Sequence, residues 1–218
     1  MTALLRYALL KSGRTGFLTL LLVGPFCILT APLLGIGIGE YIQGRGRYPF
    51  TFARQATAAA SASAMMTVAI FLATAAAAAA GFWIFRREVE TRDIGLVVLA
   101  TPPRSIAFAA TLYGTVIGTL VYLGGIVIVK AMTTHVIPNL TSRILFVMLS
   151  SLCASSLGVF LVGIKPEKPM LIAVYAGAVG VGIFVGMAEA PSVIPLAIAG
   201  AALLMTFSAV LLRRRCAT

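Results

Sequence analysis

Half of the acidic residues of this chain lie in one short polar segment between two long uncharged runs, residues 86–95, which we call the charged segment. Its ionisable residues are Arg86, Arg87, Glu88, Glu90, Arg92 and Asp93. Glu88 and Arg92 stand four residues apart with the acid first, a spacing that stabilises a helix. Charges of both signs at this density, in a chain that otherwise avoids charge, predict a docking surface for a water-soluble partner.

The uncharged runs on either side lack the groups that most membrane chemistry requires, because they contain no Asp, Glu, His, Lys or Arg. Proton-coupled transporters, pumps and voltage sensors carry such groups within the membrane. Intramembrane hydrolases need a base beside a nucleophile, or metal ligands. The single histidine, His135, lies in a predicted outer loop, where it is either solvated or a ligand or pH sensor. We therefore expect no catalytic residues, no metal and no cofactor in this chain.

Hydropathy predicts the membrane-spanning helices that position the charged segment. With 60% hydrophobic and 11% charged residues and a mean hydropathy of +1.04, the chain is predicted to be an all-α integral membrane protein. Six uncharged runs each reach the length of about 20 residues that a helix needs to cross a bilayer. The predicted spans are approximately 16–39, 56–85, 105–129, 144–164, 169–188 and 192–212, and residues 1–218 form one membrane domain.

The distribution of Lys and Arg predicts the orientation. Placing both termini in the cytoplasm puts 12 of the 17 basic residues inside, and we expect a multi-pass protein of the inner, cytoplasmic membrane. Residues 1–14 carry apolar side chains on one side of a helical wheel and basic ones on the other, which predicts a helix at the cytoplasmic interface. No soluble segment is long enough to form a basic face for nucleic acid.

Small residues predict where the helices pack. The second span is rich in alanine and is expected to be a packing helix, since small side chains let backbones approach closely in lipid. Residues spaced four apart form faces that would contact another helix, either within the chain or in a second copy: Gly35 and Gly39, and Ala178, Gly182 and Gly186. The serines and threonines of the spans are expected to hydrogen-bond between helices or to their own backbone.

The order of residues from Arg87 to Ser105, REVETRDIGLVVLATPPRS, resembles the cytoplasmic segment between helices 2 and 3 of type-2 ABC exporter permeases. The six spans, the interfacial helix and the absence of an ATP-binding sequence are similar too. The resemblance implies a coupling helix over Arg87 to Leu99, with Glu88, Glu90, Arg92 and Asp93 facing an ATPase. Three features depart from the family pattern. The glycine comes late, after Asp93 and Ile94, and the apolar run Leu96 to Leu99 replaces the family's acidic residue that follows it. The outer connection between helices 5 and 6 is also short.

The same resemblance implies a half-transporter that dimerises with a second permease copy and recruits a separate ABC-type ATPase, which would bind the ATP and Mg²⁺. Helices 1 and 5, where Gly35 and Gly182 lie, would form the dimer contact. A cavity of Leu, Phe, Met and Ala side chains predicts an amphipathic or lipid-like substrate. Two alternatives stay open: the haem-handling membrane subunit of cytochrome c maturation, and a noncatalytic membrane assembly or immunity protein.

Overall fold

The computed structural model describes residues 65–84, 102–132, 139–164 and 192–217, together with five residues between 176 and 182. All of these are helical except Pro102, Asn139 and Ser192. The predicted interfacial helix, the predicted first span and the charged segment lie outside the described residues.

The described residues include four helices that pack into a bundle, and each is long and apolar enough to cross a membrane. They are α1 (Met65–Ile84), α2 (Pro103–Met132), α3 (Leu140–Ile164) and α4 (Val193–Ala217). At 1.5 Å per residue, the shortest of them is about 30 Å long, the thickness of a hydrocarbon core. The protein is therefore a multi-pass membrane protein, and these helices overlap the second, third, fourth and sixth predicted spans. Of the predicted fifth span, 169–188, only five residues are described.

Two helices begin earlier than the sequence predicted. Helix α2 begins at Pro103 and so includes Arg104, and α3 begins at Leu140 and so includes Arg143. Charge was used to place the predicted ends, but a charged side chain does not interrupt a helix, and a long one can reach the membrane surface. Proline is also compatible with the first helical turn, where its missing N–H would have no partner.

The first three helices run antiparallel to their neighbours, as two buried clusters show. One cluster joins Phe82 and Ile84 at the end of α1 to Ile106 near the start of α2 and Val162 near the end of α3. The other joins Met65, at the start of α1, to residues near the end of α2 and the start of α3. The bundle therefore has two ends, which we name after exposed basic residues of α2: the Arg104 end and the Lys130 end.

Helix α4 runs parallel to α3. Near the start of α4, Ala197 packs with Leu149 and accepts a hydrogen bond of 3.5 Å from the Cys153 thiol to its carbonyl. Fourteen residues further along α4, Leu211 lies against Gly163, where an added Cβ would be 3.0 Å from the Leu211 Cβ. Helix α3 therefore ends at the Arg104 end, whereas α4 begins towards the Lys130 end.

Candidate functional site

The Arg104 end of the bundle is where the charged segment joins the described helices. Ile84, Ile106, Val162 and Leu212 belong to one buried cluster, so the four helices meet at this level. Ile84, the last described residue of α1, is 5% exposed, and Ile106, near the start of α2, is 0% exposed. The stretch between Ile84 and Pro102 therefore connects two parts of the bundle, near Ile84 and near Ile106, that belong to one buried cluster.

The predicted site residues themselves are for the most part outside the described residues. This applies to every residue predicted to contact an ATPase: Arg87, Glu88, Glu90, Arg92 and Asp93. It also applies to His135 and to four of the five residues of the predicted packing faces: Gly35, Gly39, Ala178 and Gly186.

Gly182 is the one residue of the predicted packing faces that the structure describes, and it is buried. A Cβ at this position would lie 2.9 Å from Thr74 Cγ2 on α1 and 3.5 Å from the Ser150 carbonyl oxygen on α3. Gly182 thus contacts two helices of its own chain. The neighbouring Gly177 and Gly180 are exposed, and an added Cβ at either would meet nothing within 4 Å.

The tightest packing joins α1, α2 and α3 through glycines. A Cβ at Gly114 of α2 would collide with Ser155 Oγ and lie 2.6 Å from the Ala77 carbonyl oxygen. A Cβ at Gly118 would lie 2.6 Å from Ser151 Oγ and 2.7 Å from the Ala73 carbonyl oxygen. Since real Cβ atoms do not approach other atoms this closely, α2 can hold this position only with glycine here.

Sequence reasoning missed Gly114 and Gly118, although a signal was present. They stand four residues apart, the same spacing that singled out Gly35 and Gly39, and this pattern typically marks a helix contact in membranes. The prediction that the alanine-rich span is a packing helix is confirmed. Its buried side includes Ala73, Ala76, Ala77 and Ala78, all 0% exposed.

The hydroxyl groups of the bundle interior bond in the two ways that the sequence predicted. Ser155 on α3 donates to the Thr111 carbonyl on α2 at 3.0 Å, which joins two helices. Ser150 donates to the Phe146 carbonyl one turn earlier at 2.7 Å, and Thr115 donates to the Thr111 carbonyl at 2.8 Å. Among the described residues, no base lies beside these hydroxyls that would make one of them a nucleophile.

Two buried hydroxyls, Thr111 Oγ1 and Ser151 Oγ, have no hydrogen-bond partner among the described residues. Ser151 Oγ occupies the space beside Gly118 that a side chain there would need. No group of three or more His, Cys, Asp or Glu that could hold a metal occurs in the part of the chain that the structure describes. The described interior therefore offers close packing and hydroxyl groups, without a titratable or metal-binding cluster.

Comparison of the chain with models of known protein families, with curated proteins and with solved structures gives no match.

Proposed function

We propose that this protein is the membrane subunit of an ATP-driven exporter of the type-2 ABC kind. In this proposal, the charged segment docks a separate ATPase subunit that binds ATP and Mg²⁺, and the chain itself hydrolyses nothing. The direction of transport is out of the cytoplasm or the inner leaflet of the cytoplasmic membrane. A second permease copy completes the path, and the cargo is amphipathic or lipid-like.

The observation that carries the proposal is the packing at the Arg104 end. The charged segment lies in the stretch that connects Ile84 to Pro102, and Ile84 packs in one buried cluster with Ile106, Val162 and Leu212. A force applied to the charged segment would reach α1 and α2 at this end of the bundle, where they cannot move independently of α3 and α4, because the side chains of all four helices are packed together. This is the mechanical connection that a coupling segment needs.

The lack of ionisable groups in the membrane interior supports an external source of energy. Arg104, Lys130 and Arg143 lie in the first or last turns of α2 and α3, and Arg213, Arg214 and Arg215 lie in the last five residues of α4. Elsewhere the described helices contain no Asp, Glu, His, Lys or Arg. A proton or ion gradient usually acts on charged groups placed near the middle of the membrane. A soluble ATPase that pushes on the bundle from one side requires none of them.

Purification from native membranes, followed by reconstitution, tests the proposal. We expect an ABC-type ATPase to copurify with the chain and its ATP turnover to rise when the two are reconstituted together. Transport of a fluorescent lipid should then require ATP and persist in the presence of a protonophore. Transport by the purified chain alone under an ion gradient, with no ATPase present, would show that the proposal is wrong.

A further inference from the structure

Three exposed arginines without ion-pair partners among the described residues lie at the Arg104 end of the bundle: Arg104 on α2, and Arg213 and Arg214 on α4. The described residues contain no Asp or Glu, so no carboxylate in this part of the chain neutralises them. Arginine is always charged, and its planar guanidinium binds phosphate through two parallel hydrogen bonds. The chemistry that this end of the bundle fits is therefore that of an anion, with phosphate the best match.

The arginines of the two helices lie at the same level. Ile106 of α2 and Leu212 of α4 belong to one buried cluster, and α2 and α4 pack directly against each other. Arg104 precedes Ile106 by two residues, and Arg213 follows Leu212 directly. Arg104 and Arg213 therefore occupy positions at the same end of two helices that pack against each other.

Apolar side chains are exposed one turn nearer the middle of the same helices. Phe108 stands four residues after Arg104 and is 45% exposed, while Val210, three residues before Arg213, is 47% exposed. Residues three or four apart share one face of a helix, so each helix presents an apolar side chain beneath its arginine. Trp83 at the end of α1 is 63% exposed at this end of the bundle, as expected for a side chain at the membrane–water interface.

We propose that the Arg104 end of the α2–α4 contact binds an anionic phospholipid. The phosphate lies between Arg104 and the Arg213–Arg214 pair, and an acyl chain runs along Phe108 and Val210. A soluble anion would use the arginines alone, whereas a lipid uses the arginines and the apolar surface below them. Basic surfaces between membrane helices are suited to such headgroups. This inference does not depend on the proposed transport function.

Lipid binding to the purified full chain tests the proposal, with phosphatidylglycerol as the anionic probe and phosphatidylcholine as the zwitterionic reference. Native mass spectrometry would count the lipids retained by the wild type, R104Q, the R213Q/R214Q double variant and K130Q. Each arginine near an anionic surface changes the dissociation constant of an anionic lipid about fivefold. R104Q should therefore weaken phosphatidylglycerol binding about fivefold, and the double variant should weaken it more. Lys130 is the matched control, because it lies on the same helix at the opposite end, and K130Q should leave binding unchanged.

A second measurement uses the unaltered protein, so that it does not depend on correct insertion of the variants. Added phosphatidylglycerol should raise the midpoint of thermal unfolding, and phosphatidylcholine should raise it less. Equal effects of the two lipids, or equal losses in R104Q and K130Q, would overturn the proposal. An equal rise with inorganic phosphate would show that the site takes a free anion, and the lipid assignment would then be wrong.

Discussion

Gly114 of α2 lies directly against Ser155 of α3, so closely that the Ser155 hydroxyl occupies the space where a Cβ on residue 114 would be. The carbonyl oxygen of Ala77 on α1 borders the same space at 2.6 Å. Three helices therefore meet at one glycine, and the contact on one side is backbone, which cannot rotate away. Where the hydrophobic effect does not drive helices together, such close approach is a main source of their association.

Gly114→Ala is therefore expected to destabilise the bundle. Overpacking of a close contact costs about 1–3 kcal/mol, and the midpoint of thermal unfolding in detergent should fall accordingly. Gly124→Ala is the control on the same helix, because an added Cβ there meets nothing within 4 Å. Alanine favours a helix over glycine, so this control should match or slightly exceed the wild type. Equal stability of the two variants would contradict the packing described for Gly114.

The parallel arrangement of α3 and α4 can be tested with a native cysteine. Cys153 Sγ lies 3.5 Å from the Ala197 carbonyl oxygen, so Ala197→Cys should place a second thiol within reach of Cys153. In a chain in which Cys27 and Cys216 are replaced by serine, mild oxidation or a short bifunctional thiol reagent should join the two. Peptide mass spectrometry would identify the linked pair.

Gly200→Cys is the control for this cross-link. It lies less than one turn further along α4, but an added Cβ at this position meets nothing within 4 Å. A thiol there should react with Cys153 much more slowly. If Cys153 were linked to position 200 in preference to position 197, the side of α4 that faces α3 would be assigned wrongly.

Asn139, directly before α3, has a left-handed backbone with φ of 52°. Asparagine and glycine tolerate this conformation, while a residue with an ordinary Cβ is strained by about 1–2 kcal/mol. Asn139→Ala should lower the unfolding midpoint for this reason, and Asn139→Gly should leave it close to the wild-type value. The two variants remove the same amide group, so a difference between them isolates the backbone conformation; equal losses would instead indicate a role for the amide.

The sequence predicted the membrane class and the four described helices, because a helix needs an apolar run of about 20 residues to cross a bilayer and such runs are visible in the sequence. It placed the helix ends less well, because Arg104 and Arg143 were treated as boundaries although helices continue through them. It did not find the contact of Gly114 with Ser155. Spacing alone shows that two glycines share a helix face, but the partner depends on how three helices are arranged in space.

The proposed coupling role of the charged segment makes a separate prediction. Glu88→Lys together with Glu90→Lys should abolish copurification of the ATPase, because the partner surface would then meet charges of the opposite sign. Membrane insertion and the unfolding midpoint should be unchanged. Replacing both residues by Asp keeps the charge and serves as the control. Copurification that survives the lysine substitutions would remove the charged segment from the ATPase interface.

The shared direction of α3 and α4 simplifies the assignment of sidedness. Leu212 lies in the same cluster as Ile84 and Ile106, so a reporter fused after α4 would be on the same side of the bilayer as the charged segment. Protease protection of such a fusion in sealed vesicles would then locate both at once. Labelling of a single cysteine introduced at Lys130, from the opposite compartment, would provide an independent check of the same assignment.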